Sequence, residues 1–365
     1  MNASPLLHDA LIVDGHTDVP SRLFHHPADL GERLDDGHVD LPRLREGGVA
    51  ALFFALFVPG RLDPQAGWEH ALALYDRVER QLRPGELELV ASAEEVRRAA
   101  AEGAVAVLLG LENGRPLLVP SALARCASLG VRYVTLTHNE SHEWCDASTD
   151  EPRHGGLSDA GVGLVREMQR RGILVDVSHV SDDAVLHALD AVRGPVIASH
   201  SSARALCDHP RNLPDSLVLE IARRGGVVGA NAAPFFLDDA AARVQLRRAA
   251  EFERRVAELD PADLEGRVRV RDEMAAEGEL EMPKVPLSRY ADHVLHLLDV
   301  AGEEHVALGT DFDGITETPE GFEDVSRFPA LAAELTARGV GPRVLRMVLG
   351  ENLLRVLREA ERLAE

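Results

Sequence analysis

The sequence predicts an α/β fold, a (β/α)8 barrel of the TIM type forming a single domain over residues 1–365, with a helical excursion between its seventh and eighth strands. Three observations carry that reading. Eight short apolar runs punctuate the chain, and nearly all are unbroken rather than alternating, as strands covered on both faces by helices are. Helical patterns rich in Ala, Leu, Arg and Glu stand between them, so strand and helix alternate. With 365 residues and a 45% hydrophobic composition the chain can bury one large core, and eight strand–helix repeats suit a closed barrel better than an open doubly wound sheet.

The runs are Leu11 to Asp18, Val49 to Val58, Ala104 to Glu112, Val131 to His138, Ile173 to His179, Val196 to His200, Val227 to Asn231 and Val306 to Asp311. The helical patterns include Ala93 to Ala101, Asp159 to Arg171, Asp182 to Val192 and Asp215 to Arg224. Ser158 and Ser181 precede two of them, where a side-chain oxygen can cap free backbone N–H groups, and Gly103, Gly172, Gly194 and Gly225 stand where helices stop. From Pro234 to Tyr290 the rhythm breaks into a highly charged, helix-like stretch. It reads as helices inserted above the barrel, either a lid or a solvated hairpin without a catalytic part.

Asp and Glu outnumber Lys and Arg by 61 to 39, a formal charge of −22 that repels phosphate backbones and anionic lipid headgroups. No apolar run approaches the roughly 20 residues needed to cross a bilayer. The amino terminus lacks the basic start, apolar stretch and small-residue cleavage site of an export signal. Cys126, Cys145 and Cys207 are odd in number and form no C-x-x-C pair, so neither a disulfide framework nor a thiolate zinc site is expected. A cytoplasmic protein without nucleic-acid or membrane partners is the expectation.

Besides the fourth run, which closes in His138, five of the runs end in an ionisable residue that a buried strand does not ordinarily tolerate: His16 with Asp18, Glu112, His179, His200 and Asp311. Strand ends of a barrel converge on one rim, so these groups should meet in space. His16 and Asp18, two apart on one strand, point to the same side and can offer an imidazole nitrogen and a carboxylate oxygen to a borderline metal such as zinc. His179 and His200 can hold a second metal. Glu112 can give one oxygen to each ion, the arrangement in which a single hydroxide touches both. Asp311 is suited to general base, though it could also be a ligand, and Asp313 two residues on is a rival for the role or a turn former before Gly314. His138 closes the fourth run with an N–H to aim at an oxyanion, and Arg211 offers a planar fork for a substrate carboxylate.

In these residues the chain resembles the membrane (renal) dipeptidases, a branch of the amidohydrolase-like barrels. The resemblance runs from about Leu11 to Arg358 through DGHTDVP, GLEN, YVTLTH, GLSDAGVGLVREMQRRGILVDVSH, SHSSARAL, HPRNLPD, GTDFDG and GENLLRVL. It implies His16 and Asp18 as ligands of one zinc, His179 and His200 of the other, and Glu112 as the bridge, two Zn2+ per chain. It also implies His138 as the oxyanion-stabilising histidine, Arg211 as the substrate-carboxylate arginine and Asp311 as the proton-transfer aspartate. No strand end offers the lysine with which phosphotriesterase-like barrels bridge their metals. The implied activity is hydrolysis of dipeptides, with tolerance of a D-residue at the carboxy-terminal position, by a metal-bridging hydroxide. A homodimer is the assembly often seen in that family. The animal members are secreted and lipid-anchored; this chain looks like the soluble bacterial branch. The loop NESHEWCDAS after His138 is more charged than usual there. An N-acyl-D-amino-acid deacylase or lactonase on the same centre, or a metal-storing protein without catalysis, are the alternative readings.

Overall fold

The structure is a computed structural model that describes residues 10–260, 263–277 and 281–364, apart from the Ala275 side chain. Its strands are β1 (Ile12–Thr17), β2 (Val49–Phe57), β3 (Leu87–Leu89), β4 (Val105–Glu112), β5 (Val131–Thr135), β6 (Leu174–Asp176), β7 (Val196–Ala198), β8 (Val227–Ala230) and β9 (Val306–Leu308). All ladders are parallel, in the order β1-β2-β4-β5-β6-β7-β8-β9. The ring closes at its carboxy-terminal rim, where Thr17 bridges Phe312, the Asp18 N–H donates to the Phe312 carbonyl at 2.8 Å and the Asp311 N–H to the His16 carbonyl at 3.1 Å. This is the nearly closed (β/α)8 barrel that the periodicity predicts.

One strand exceeds expectation. β3 pairs with the first half of β4, before β4 takes up β5 from Leu109 onward. Its three residues, Leu-Glu-Leu, form no apolar run, so the pattern on which strands are recognised is absent. Several ladders are also shorter than their apolar runs: β5 ends at Thr135, β6 at Asp176, β7 at Ala198 and β9 at Leu308. His138, His179, His200 and Asp311 therefore stand on the turns just past the sheet.

Alternate strand residues divide between two cores. Val13, Phe53, Leu108, Tyr133, Ile197 and Val227 pack together in the lumen, while Leu52, Phe54, Leu109, Val134, Val228 and Leu308 face the helices. Helix starts follow the expected caps: the Ser158 hydroxyl accepts from the Gly161 N–H and that of Ser181 from the Ala184 N–H, each worth about 1 kcal/mol over alanine. Gly172, past the helix Asp159–Arg170, takes the left-handed backbone (φ 67°) that ends it. Gly194 does other work, since the helix before it has already ended at Ala191 and a Cβ would meet Leu363 at 2.6 Å.

Between β8 and β9 the chain runs through helices Pro234–Leu237, Asp239–Val256 and Leu264–Glu277. The last two are laced by Arg255 to Glu277 at 2.7 Å and Arg267 to Glu253 at 2.9 Å. Tyr290 already belongs to the next helix, Leu287–Ala301, which packs on the barrel and from which the Tyr290 hydroxyl donates to the Ala230 carbonyl. Among the described residues no helix is long and apolar enough to cross a membrane.

Candidate metal centre

The polar residues that the strand ends bring together are buried, which is costly unless something compensates each of them. Relative exposure is 0% for His16, 7% for Asp18, 3% for Glu112, 7% for His179 and 1% for His200. Glu112, the last residue of β4, lies at their middle. Its Oε2 is 3.5 Å from His16 Nε2, and its Oε1 is 3.1 Å from His179 Nε2 and 3.6 Å from His200 Nε2. Asp18 Oδ2 stands 3.4 Å from His16 Nε2. One carboxylate thus faces two separate imidazole sets with its two oxygens.

The outer nitrogen of each imidazole is occupied, which decides where its inner lone pair points. Asp176 can only accept, so the Ser199 hydroxyl donates to it at 2.6 Å and in turn accepts from His200 Nδ1 at 2.8 Å. The Asn139 side-chain oxygen likewise accepts from His179 Nδ1 at 3.2 Å. Both Nε2 atoms are left bare, yet they lie 2.9 Å apart. Burial, with the neighbouring cations adding to it, holds both rings well below the usual imidazole range, so neither carries a second proton to share. Two converging lone pairs beside a carboxylate repel one another unless a cation lies between them.

On the other side, His16 Nδ1 is 2.8 Å from the Tyr133 hydroxyl and its Nε2 has no hydrogen-bond partner among the described residues. Burial opposes charge on this ring, but Glu112 and Asp18 outweigh it and hold His16 well above its ordinary value. The field there calls for positive charge. Potential ligand atoms of His16, Asp18 and Glu112, of Glu112, His179 and His200, and of His16, His200 and Asp311 each lie within 4.8 Å of one another. Mixed imidazole and carboxylate donors of this kind suit zinc and its divalent neighbours, so the residues fit a metal.

Around this cluster stand the other residues singled out from the sequence. Burial raises the Asp311 carboxyl to about 7, with Asp18 and Glu112 adding to it against His16, and the Asn231 amide donates to Asp311 Oδ2 at 3.0 Å. A cation bound among these carboxylates would lower it again. His138 Nε2 is 3.9 Å from Glu112 Oε1, its side chain is 20% exposed, and burial pushes the ring down to about 4, leaving a neutral N–H donor. Arg211 donates to the His200 carbonyl at 3.2 Å and to the Ser201 hydroxyl at 3.4 Å, lies 5.3 Å over the Phe236 ring, and keeps its Nε without a partner among the described residues. Burial lowers it only to about 10, so it stays charged at neutral pH. Asp313 is otherwise engaged: it accepts from Arg22 Nε at 2.8 Å and from the His38 N–H at 2.6 Å, although its charge still bears on Asp18.

Asn113, His179 and Asp311 have left-handed backbone (φ 78°, 72° and 66°), which costs a non-glycine residue roughly 1–3 kcal/mol. All three lie where a strand turns into the site, and the turn is what aims Glu112, His179 and Asp311 inward. Sequence reasoning missed the orienting partners Tyr133, Asn139, Ser199 and Asp176. Tyr133 sits inside an apolar run and reads as core; its ring fits because Gly110 opposite has no Cβ, which would stand 2.2 Å from it. Ser199 before His200 and Asp176 inside ILVDVSH each gave a signal, as polar residues within apolar runs.

A model of the membrane dipeptidase family, peptidase family M19, matches residues 1–365. Dipeptidase tcpJ of Claviceps purpurea (strain 20.1) is 34% identical over 341 residues, which cover 90% of this chain and 70% of that protein. Among solved structures, the probable dipeptidase PvdM from Pseudomonas aeruginosa matches with a TM-score of 0.86 at 26% identity, over 99% of this chain and 98% of that one. A metallo peptidase from Rhodobacter sphaeroides, liganded with a phosphinate mimic of the dipeptide L-Ala-D-Ala, matches with 0.78 at 27% identity, over 96% and 100%.

Proposed function

This chain belongs to the membrane dipeptidase family, peptidase family M19, a family of metal-dependent hydrolases, and from that premise we propose that it is a binuclear zinc dipeptidase accepting L-Xaa-D-Xaa substrates. The observation that carries the proposal is the division of Glu112: one oxygen toward His16 and Asp18, the other toward His179 and His200. Those five residues would hold two ions. Bound there, divalent metal supplies Lewis acidity and brings the pKa of water toward about 7.

The remaining residues have separable tasks. Asp311, fixed by Asn231, takes the proton from the attacking water and returns it to the departing amine. His138, neutral and open on one side, donates its N–H to the oxygen that gains charge. Arg211, charged and with Nε unpartnered, grips the free carboxylate of the dipeptide. An end held through its carboxylate leaves the configuration at that carbon loosely read, which is why a D-residue is accepted. The likeness to the Rhodobacter sphaeroides enzyme with its L-Ala-D-Ala mimic supports that stereochemistry. We take residues 1–365 as one catalytic unit, with 234–290 as an insertion bordering the substrate. The three buried, free cysteines, of which Cys126 is pushed up to about 12 by burial, suit a reducing cytoplasm.

Elemental analysis of the purified protein, coupled to a panel of L-Xaa-D-Xaa and L-Xaa-L-Xaa dipeptides, N-acyl-D-amino acids and lactones, tests the proposal. Two zinc ions per chain with turnover of L-Xaa-D-Xaa is the expected result. Turnover confined to the acylated amino acids or lactones would replace it with the deacylase or lactonase reading.

A further inference from the structure

Beside the centre, the segment after β2 and the helix Leu264–Glu277 face each other across an open cleft of about 220 Å³. Phe57, the last residue of β2, forms part of its wall; it pairs in register with Glu112 and meets the His138 ring edge-on at 4.6 Å. Ser21 and His25 line it from the helix Val19–His25, which starts directly after Asp18. The cleft therefore lies next to the His16–Asp18 pair, with Phe57 standing between it and His138. Arg211, held against His200 and Ser201, is not among its walls.

In a chain with a net charge of −22, this cleft is lined by three arginines, Arg61, Arg267 and Arg271, and, among the described residues, by no carboxylate. Arg267 is partly balanced by Glu253 at 2.9 Å and Arg271 by Asp272 at 3.3 Å. Arg61 has no hydrogen-bond or ion-pair partner among the described residues, and its Nε is buried. Burial and the facing Arg267 both lower its pKa, against the weaker pull of Glu140 and Glu253. His70, in the same wall, is pushed down to about 4 by burial, then by His25 and Arg61, and adds polarity without charge. A partly desolvated guanidinium opposite another is unfavourable unless an anion enters between them.

We infer that this cleft is a subsite for a carboxylate borne on the side chain of the amino-terminal substrate residue, so that the enzyme prefers acidic residues there. The inference rests on the dipeptidase reading with Arg211 at the carboxy-terminal end: a dipeptide anchored by Arg211 and cleaved over Glu112 extends its other residue toward Phe57 and the arginines behind it. A lysine side chain in that position meets like charge.

The test compares L-Glu-D-Ala, its near-isostere L-Gln-D-Ala and L-Lys-D-Ala as substrates of the unaltered enzyme and of the Arg61→Ala and Arg61→Gln variants, the second keeping most of the side-chain volume should the first fail to fold. A charge-assisted hydrogen bond predicts kcat/KM about ten-fold higher for Glu than for Gln, expressed in KM, with Lys lowest. In either variant the Glu to Gln ratio should fall to near one, whatever the absolute rates. Equal values for Glu and Gln in the unaltered enzyme, or a ratio that survives both substitutions, would overturn the inference. Calorimetric binding of the same dipeptides to the Asp311→Asn variant reads the subsite without turnover. If no dipeptide is hydrolysed but Glu binds about ten-fold tighter than Gln, the dipeptidase reading fails and the anionic subsite stands; absence of that difference removes the subsite.

Discussion

The floor of the centre and the cleft beside it answer to different physical demands. His16, Asp18, Glu112, His179 and His200 sit on strand ends or one turn beyond them, and each imidazole is held from behind by Tyr133, Asn139 or Ser199. The arginines of the cleft sit on a loop and a helix, at the ends of long side chains, and Arg61 is held by nothing among the described residues. Even its segment depends on a brace, Arg115, which donates to the Gly60 and Leu62 carbonyls and pairs with Glu143. Groups locked by a ladder and a second partner can meet the half-ångström tolerance of metal chemistry; groups on long, half-exposed stems can only bias which substrate stays. The floor should set the reaction and the rim the choice of substrate.

Glu112→Gln gives the sharpest break. Turnover of every dipeptide should fall by roughly 10³-fold or more, as expected when several kcal/mol of charge stabilisation is removed, and metal per chain should drop in elemental analysis. Full metal content with unequal losses across substrates would put Glu112 with the rim instead. Asp311→Asn should lower kcat by about 10²–10⁴-fold while metal content stays intact. Loss of metal in that variant would make Asp311 a ligand, the role its grouping with His16 and His200 would allow.

Asn139→Ala should leave the fold alone and weaken metal binding by about 10–100-fold in chelator competition, with activity restored by added metal. Unchanged affinity would show that His179 needs no orienting partner. The smallest effect belongs to the rim brace. Arg115 hydrogen bonds hold Glu143 down to about 2 from an ordinary 4.5. A depressed carboxyl contributes stability that is present in full above its unfolded value and lost as pH falls through the folded one. Glu143 is 44% exposed, so Glu143→Gln should cost at most about 1 kcal/mol near pH 6, shrinking toward pH 3, in urea unfolding. A constant difference at both pH values would assign the effect to something other than this pair.

The barrel and the identity of the polar residues at its mouth were legible in the sequence because both are local. An unbroken apolar run ending in His, Asp or Glu states its own exception, and eight repeats leave one rim on which the exceptions can gather. β3 was not legible, since three residues carry no period. Nor was the engagement of Asp313, whose partners Arg22 and His38 lie 291 and 275 positions away.

What the sequence alone determined, then, is the architecture and the inventory of ionisable groups at the strand ends. The folded structure decided which nitrogen of each imidazole is bare, that two bare nitrogens stand 2.9 Å apart, and that arginines from two distant segments share one cleft lined, among the described residues, by no carboxylate. Such facts are distances between residues far apart in the chain, His16 and Tyr133 by 117 positions for example, and no local pattern encodes them. Periodicity is a property of neighbours; tautomers, opposed lone pairs and uncompensated charge are properties of the packing that brings strangers together.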